Sequence, residues 1–256
     1  MDNTQIKAQI DVLTEELKQH NHRYYVLAAP TISDQEFDLK LKELQALEEK
    51  HPEYQRPDSP TLRVGGAITK NFDSFRHVRP MLSLQNTYSR EEVEDWHTQI
   101  SKLADERPFT YIVQHKFDGV SLSLHYDNDQ LVRGVTRGDG VQGDDITTNV
   151  KTIPTVRLGV NPGDHPDSFE VRGEVLMHKD RFQQLNANRE KRGEPVLMNP
   201  RNATAGTLKM QDSAVVASRP LTFYAYWMGA DAGLPDLDSE QQSMLQDMGF
   251  LAKHND

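Results

Sequence analysis

Tyr111-Ile-Val-Gln-His-Lys-Phe-Asp-Gly-Val-Ser-Leu-Ser-Leu-His-Tyr126 contains two extended-looking runs on either side of the bend formers Asp118-Gly119. In the second run Val120, Leu122, Leu124 and Tyr126 recur at every other position, the period of a strand with one buried face. The turn residues Asp127-Asn-Asp129 follow and a strand over 131–137 comes next, so the spacing predicts a hairpin directly after Lys116. A strand over 109–116 leads into it. Further strands are predicted at 169–177 and 221–228, with helices near 179–192 and 239–248. Strands joined by hairpins indicate an α+β domain with a mixed, largely antiparallel sheet, not a doubly wound one.

Toward the N-terminus the period changes to that of a helix. Ile6, Ile10, Leu13 and Leu17 mark a helix over 4–27, broken at Ala28-Ala29-Pro30. Ser33 and Glu36 form a capping box for a second helix, with Phe37, Leu41, Leu44 and Leu47 as its apolar stripe and His51-Pro52 as its stop. Together these make a helical hairpin of roughly 55 residues. Arg56-Pro-Asp-Ser-Pro-Thr-Leu-Arg-Val-Gly-Gly66 reads as a linker, dividing a module with its linker (1–65) from a larger domain (66–256). A second capping box, Ser89 to Glu92, opens a helix with Val93, Trp96, Ile100 and Leu103 on one face.

The 256 residues are 36% hydrophobic and 27% charged, the balance of a soluble globular chain able to bury a sizeable core. With no cysteine, disulfides and thiolate metal sites are excluded, and a cytoplasmic address is compatible. No apolar run approaches the roughly 18 residues needed to span a bilayer, so neither a membrane partner nor a signal peptide is expected. The formal charge of −10 argues against this chain alone gripping a polyphosphate backbone. Basic residues gather locally at Arg189, Lys191, Arg192, Arg201 and Lys209, and at Arg133 and Arg137, where the plain alternative is solvated surface.

Lys116 is the residue most suggestive of chemistry. A lysine amine attacks phosphorus only when deprotonated, so a nucleophilic role requires desolvation or neighbouring positive charge. Asp118, two residues on along an extended segment, shares its face and could orient the amine or hold a metal; a turn former before Gly119 is the alternative.

Lys116-Phe-Asp-Gly119 is one of an ordered series that runs nearly end to end. The others are Pro80-Met-Leu-Ser-Leu-Gln-Asn86, Thr136-Arg-Gly-Asp-Gly140, Gly143-Asp-Asp-Ile-Thr-Thr-Asn149, Glu170-Val-Arg-Gly-Glu174, Asn199-Pro-Arg-Asn202 and Arg219-Pro-Leu221. In this series the chain resembles the N-terminal part of bacterial NAD-dependent DNA ligases. The resemblance implies a helical NMN-binding module followed by an ATP-grasp-like ligase nucleotidyltransferase domain, incomplete at its C-terminus. It implies that Lys116 attacks the α-phosphorus of NAD, releases nicotinamide mononucleotide (NMN) and becomes lysyl-AMP. In the full-length enzyme the AMP passes to the 5′ phosphate of a nick in double-stranded DNA, with Mg2+ offsetting phosphate charge. A bacterial cytoplasmic, nucleoid-associated location goes with that role.

Roles carry over residue by residue. Glu174 resembles a ribose-binding or metal-associated glutamate, with a salt bridge to Arg172 or another neighbour as the alternative. Arg137 resembles the arginine on the nucleotide-phosphate and NMN side, and Arg201 one near the reacting phosphates or the nick. Ser83 and Leu84 match the adenine side of the pocket. Gln114 stands where the family usually carries a glutamate reading the adenine amino group, and Lys209 where many relatives have an arginine, which weakens a bidentate phosphate contact. In the helical module Tyr24 agrees with the family, Tyr25 replaces a histidine and Phe37 a tyrosine, while Asp34 and Asp38 share a helix face suited to ribose hydroxyls or the nicotinamide ring. Asp34 is equally an ordinary first-turn acid and Phe37 an ordinary core residue.

The resemblance also sets an expectation of truncation. No second D-G-x-x-x-K segment follows before Asp256, nor do the family's OB-fold, zinc, helix-hairpin-helix and BRCT modules. Weak or no DNA binding and no nick sealing are therefore expected of this chain alone. Two other readings stand beside this one: a non-catalytic NAD-, NMN- or AMP-binding fragment, and an ATP-dependent lysine nucleotidyltransferase.

Overall fold

The computed structural model describes residues 3–25, 29, 31–63 and 71–252. Helices α1 (Asn3–Tyr25) and α2 (Asp34–Lys50) form the predicted hairpin. Ile10, Leu13, Leu17 and Leu44 are its buried centre, flanked by Ile6, Phe37, Leu41, Leu47 and Tyr54. The Ser33 box is complete: Ser33 Oγ accepts from Glu36 N at 3.2 Å and Glu36 Oε2 accepts from Ser33 N at 2.9 Å. Two otherwise unpaired helix-end donors are satisfied reciprocally.

The stretch expected to be a linker is built differently. Asp58, Ser59, Pro60 and Thr61 are buried. Asp58 accepts from Lys18 at 2.5 Å and from Arg56 at 2.9 Å, and Arg63 donates to the Ile153 and Val156 carbonyls at 2.6 Å each. Proline-rich composition signals irregular backbone but not exposure, and here a carboxylate flanked by cations supplies the contacts that hold it. Residues 64–66 lie outside the described residues.

Four antiparallel strands form the main sheet, in the order β3-β2-β5-β6: β2 (Val120–Asp127), β3 (Gln130–Thr136), β5 (Ser168–Leu176) and β6 (Thr222–Gly229). Asn128 and Asp129 have φ of 47° and 66°, so the β2–β3 connection is a two-residue turn of the type whose twist suits a hairpin. A two-stranded ribbon, β1 (Ser74–Arg76) with β4 (Gln142–Asp144), lies outside it. One face of the main sheet buries Leu122, Leu124, Tyr126, Val171, Val175 and Phe223. The helices α4 (Thr147–Val150), α5 (Lys179–Lys191), α6 (Pro200–Leu208), α7 (Ser213–Ala217) and α8 (Asp238–Asp247) complete this part. The sequence reading missed α4, α6 and α7, each short, together with the β1–β4 ribbon.

Two expectations are corrected. Residues 109–116 form no strand: Tyr111 packs against Trp96 with ring centroids 5.2 Å apart and planes tilted by 36°, and Val113 is 68% exposed. An extended backbone becomes a ladder only beside a partner strand, and none of the described residues provides one. Helix α3 (Arg90–Leu103) forms, but its apolar stripe is not covered; Val93, Trp96 and Leu103 are all exposed. Its cap is also half of the expected box. Ser89 Oγ accepts from Glu92 N at 3.2 Å, while the Glu92 carboxylate takes Tyr88 N at 2.6 Å.

Candidate active site

The face of the sheet opposite the apolar core is polar, because β2 alternates Ser121, Ser123 and His125 with its core leucines. Register aligns Ser121 with Glu174, and Glu174 with Tyr224, across three strands. Glu174 Oε2 accepts from Ser121 Oγ at 2.8 Å and Oε1 from Gly119 N at 3.2 Å. Burial pushes the Glu174 carboxyl above its usual range, against these two hydrogen bonds and the fields of Arg201 and Lys116. The Gly119 hydrogen bond ties the turn that follows Lys116 to this carboxylate.

A straight strand would carry Lys116 and Asp118 in the phase of the core leucines. The bend at Asp118-Gly119 breaks that phase, and both side chains are exposed. Gly119 is required there by close approach, since a Cβ would come 2.1 Å from the Val175 carbonyl oxygen. Phe117 stacks on Tyr224 with centroids 4.6 Å apart, clamping the turn against the sheet end. Lys116 is exposed in this arrangement, and Arg201 Nη1 lies 3.5 Å from Asp118 Oδ1. Asp118 and Arg201 also line an open cavity of about 820 Å³ with His178, Lys179, Asn199 and Asn202. Asn199 caps α6 by accepting from Asn202 N at 2.7 Å, with Pro200 at the first helical position, and this fixes where Arg201 emerges.

Arg137 enters the loop between β3 and β4. Gly138 has φ of 57°, and a Cβ there would meet the Gln142 carbonyl oxygen at 1.9 Å. Asp139 Oδ1 accepts from Val141 N and Gln142 N at 2.9 Å each, and Gly140 O accepts from Met81 N at 2.8 Å. Arg137 N donates to the Ser121 carbonyl at 3.3 Å, which sets its backbone beside the strand residue that holds Glu174. Lys209 is paired with Asp144 at 2.8 Å.

Glu174 does not pair with Arg172. Arg172 holds Glu170 at 2.6 Å, donates to the carbonyls of Arg79 and Pro80, and lies 4.4 Å over the Trp227 ring. It thereby anchors the segment leading to Ser83 and Leu84, which are exposed. Gln114 is half-buried and its Nε2 donates to Asp238 Oδ2 at 3.1 Å.

The helical module is not brought to Lys116. Lys18, His22 and Arg23 of α1 share a cavity with Asp129 and Gln130 at the β2–β3 turn. Lys116 precedes the other end of β2, and seven strand steps of about 3.3 Å separate the two ends by roughly 23 Å. Phe37 packs in the hairpin core, as its plainer reading anticipated, and Asp38 is exposed. The side chains of Tyr24, Tyr25 and Asp34 lie outside the described residues.

Ser121, Phe117 and Tyr224 were not singled out in the sequence. The serine was findable, because its register partner Glu174 follows from the strand pairing; the aromatic stack was not. The basic concentrations prove largely neutralised: Arg189 and Arg192 both meet Glu194, and Arg133 meets Asp145. Among the described residues no group of three or more His, Asp or Glu side chains could hold a metal ion.

Comparison with known proteins adds a separate line. Residues 69–255 match the NAD-dependent DNA ligase adenylation domain, and residues 3–65 the DNA ligase-like N-terminal NAD+-binding domain. A DNA ligase of Phocaeicola vulgatus is 54% identical over 222 residues, 87% of this chain and 33% of that protein. One of Bacteroides fragilis is 51% identical over 226 residues, 88% and 34% respectively. One of Petrotoga mobilis is 44% identical over 252 residues, 98% and 37%. The chain spans about a third of the length of these curated relatives. With most of its length accounted for by that match, this chain belongs to the NAD-dependent DNA ligase adenylation-domain family.

Proposed function

We propose that this chain carries the nucleotide-charging step of an NAD-dependent DNA ligase, divided into a helical NAD/NMN-binding module at 1–65 and an adenylation domain at 66–256. The observation that supports it best is the turn at Lys116-Phe-Asp-Gly119, where Gly119 and Ser121 hold Glu174 and Arg201 reaches Asp118 at 3.5 Å. Lys116 Nζ attacks the α-phosphorus of NAD; an N–P bond forms, the P–O bond to the NMN phosphate breaks, and NMN leaves with the electron pair. The ammonium proton departs through the exposed Asp118 to solvent. Arg201 and Arg137 offset phosphate charge, Glu174 accepts from ribose hydroxyls, and Ser83, Leu84 and Gln114 border the base. The covalent route divides one difficult transfer into two.

Mg2+ takes most of its ligands from water and substrate phosphates, so its expected place is with NAD. Transfer of AMP to the 5′ phosphate of nicked double-stranded DNA is the role proposed for the whole enzyme, with Arg201 and Lys209 toward the DNA. A cytoplasmic, nucleoid-associated site of action goes with that substrate; among the described residues no helix is long and apolar enough to cross a membrane.

A second reading, binding of NAD or AMP without covalent transfer, draws on the position of the helical module at the far end of the sheet. Intact-protein mass spectrometry after incubation with NAD and Mg2+ separates the two. The expected result is an AMP adduct formed from NAD and not from ATP, lost completely in Lys116→Ala. No adduct with NAD selects the binding-only reading, and an adduct retained in Lys116→Ala overturns the nucleophile.

A further inference from the structure

At the end of the sheet away from Lys116, the hairpin and the β2–β3 turn enclose a second cavity of about 590 Å³. Lys18, His22 and Arg23 of α1 line one side, with Arg56, Arg157 and Asn161 on the others. A void of about 20 Å³ shares Lys18, His22, Asp58 and Arg157 with it.

Of the three carboxylates lining this cavity, Asp58 and Glu15 are ion-paired. Asp58 holds Lys18 at 2.5 Å and Arg56 at 2.9 Å, Glu15 holds Arg56 at 2.8 Å, and Asp129 faces His165 at 3.6 Å. Arg157 is left over. Among the described residues it has no ion-pair partner; its Nη2 donates to Asn161 Oδ1 at 3.2 Å, and its buried Nε has no hydrogen-bond partner. The buried Nδ1 of His22 is also unpaired. Burial lowers the proton affinity of both groups, that of His22 further because Arg157 is near.

Arg157 is half-buried, feels Asp58 and Glu15 only at a distance, and leaves its Nε unsatisfied; an unpaired nitrogen on the facing element adds a second unmet donor or acceptor. An oxyanion with several acceptor oxygens satisfies both at once. We propose that this cavity binds a phosphate-class oxyanion, bridging Arg157 of the sheet domain and His22 of α1 and thereby latching the hairpin at the turn end. The inference involves neither Lys116 nor Glu174 and stands or falls apart from the adenylation reading. A ligand shifts an equilibrium only between states it binds differently. An anion that needs both walls favours this docked arrangement over any in which the hairpin has moved.

Isothermal titration calorimetry with inorganic phosphate, at ionic strength matched with chloride, tests the site, and 5′-AMP in a parallel titration distinguishes a nucleotide phosphate from the free anion. Saturable one-to-one binding is expected, weakened about tenfold or more by Arg157→Gln and by His22→Gln. His22→Gln lies on a half-exposed helix position and serves if Arg157→Gln fails to fold. No saturable heat with either anion, or unchanged affinity in His22→Gln, overturns the site. The latch is read separately with spin labels at Leu39→Cys and Val132→Cys, both exposed positions in a chain without cysteine. Phosphate is expected to narrow their distance distribution, and an unchanged distribution overturns the latch.

Discussion

β2 and residues 109–116 are adjacent in sequence, both rich in extended-backbone residues, and end in opposite situations. β2 lies between β3 and β5, with Leu122 and Leu124 fully buried. Residues 109–116 rest on α3 through Tyr111 and leave Val113 in solvent. The helices repeat the contrast: α2 and α3 both begin at a capping serine and carry an apolar stripe, yet only α2 buries its stripe. Local sequence encodes an amphipathic element; a partner surface decides whether its apolar face leaves water.

The strongest way to break the comparison is Leu122→Ala. Loss of a fully buried leucine is expected to cost about 3 kcal/mol, while Val113→Ala stays within about 0.5 kcal/mol, both read from urea unfolding. Equal losses would mean that residues 109–116 are buried after all.

A second test compares two carboxyls. Burial acts to raise Asp58, but hydrogen bonds from Lys18 and Arg56 outweigh it and the net shift is downward. Its contribution is therefore present above the ordinary value of 3.8 and lost as pH falls through the lower folded value. Glu174 has the opposite sign: its contribution is present below 4.5 and lost as pH rises through the raised folded value. Asp58→Asn is expected to cost about 2 kcal/mol near neutral pH and to flatten the acid limb of stability, the lost partner of a largely buried ion pair. Glu174→Gln should flatten the limb above pH 4.5. Same-sign changes in the two variants would defeat the assignment.

The smallest expected effect separates the two caps. Ser33→Ala should lower the thermal stability of the hairpin by about 1 kcal/mol, because both halves of its box are formed. Ser89→Ala should cost about half as much, since Ser89 contributes one hydrogen bond at an exposed helix end. Calorimetric melting of both variants checks the order.

Much of the fold was legible because its signals are local: alternation in β2, the Asn128-Asp129 turn, the Ser33 box and the stripe of α2. The short α4, α6 and α7 were not, since four to nine residues hold too few apolar repeats to show a period. That Arg56 to Arg63 is packed and not exposed was not legible, because Lys18, which pairs with Asp58, and the carbonyl partners of Arg63 come from residues remote in sequence. At the site, Lys116, Asp118, Glu174 and Arg201 were nameable from motifs. Pairing Glu174 with Ser121, and Arg172 with Glu170, took strand register.

By itself the sequence determined the longer helices, the four strands of the main sheet, the hairpin turn and the chemical identity of the Lys116 group, since each depends on neighbours a few residues away. Only the tertiary structure decided that Lys116 bends out of the core phase, that Glu174 is half-buried and held by Ser121 and Gly119, and that the helical hairpin docks at the opposite end of the sheet. Those outcomes depend on which surfaces meet and which charges are withdrawn from water together, and no local pattern carries that information.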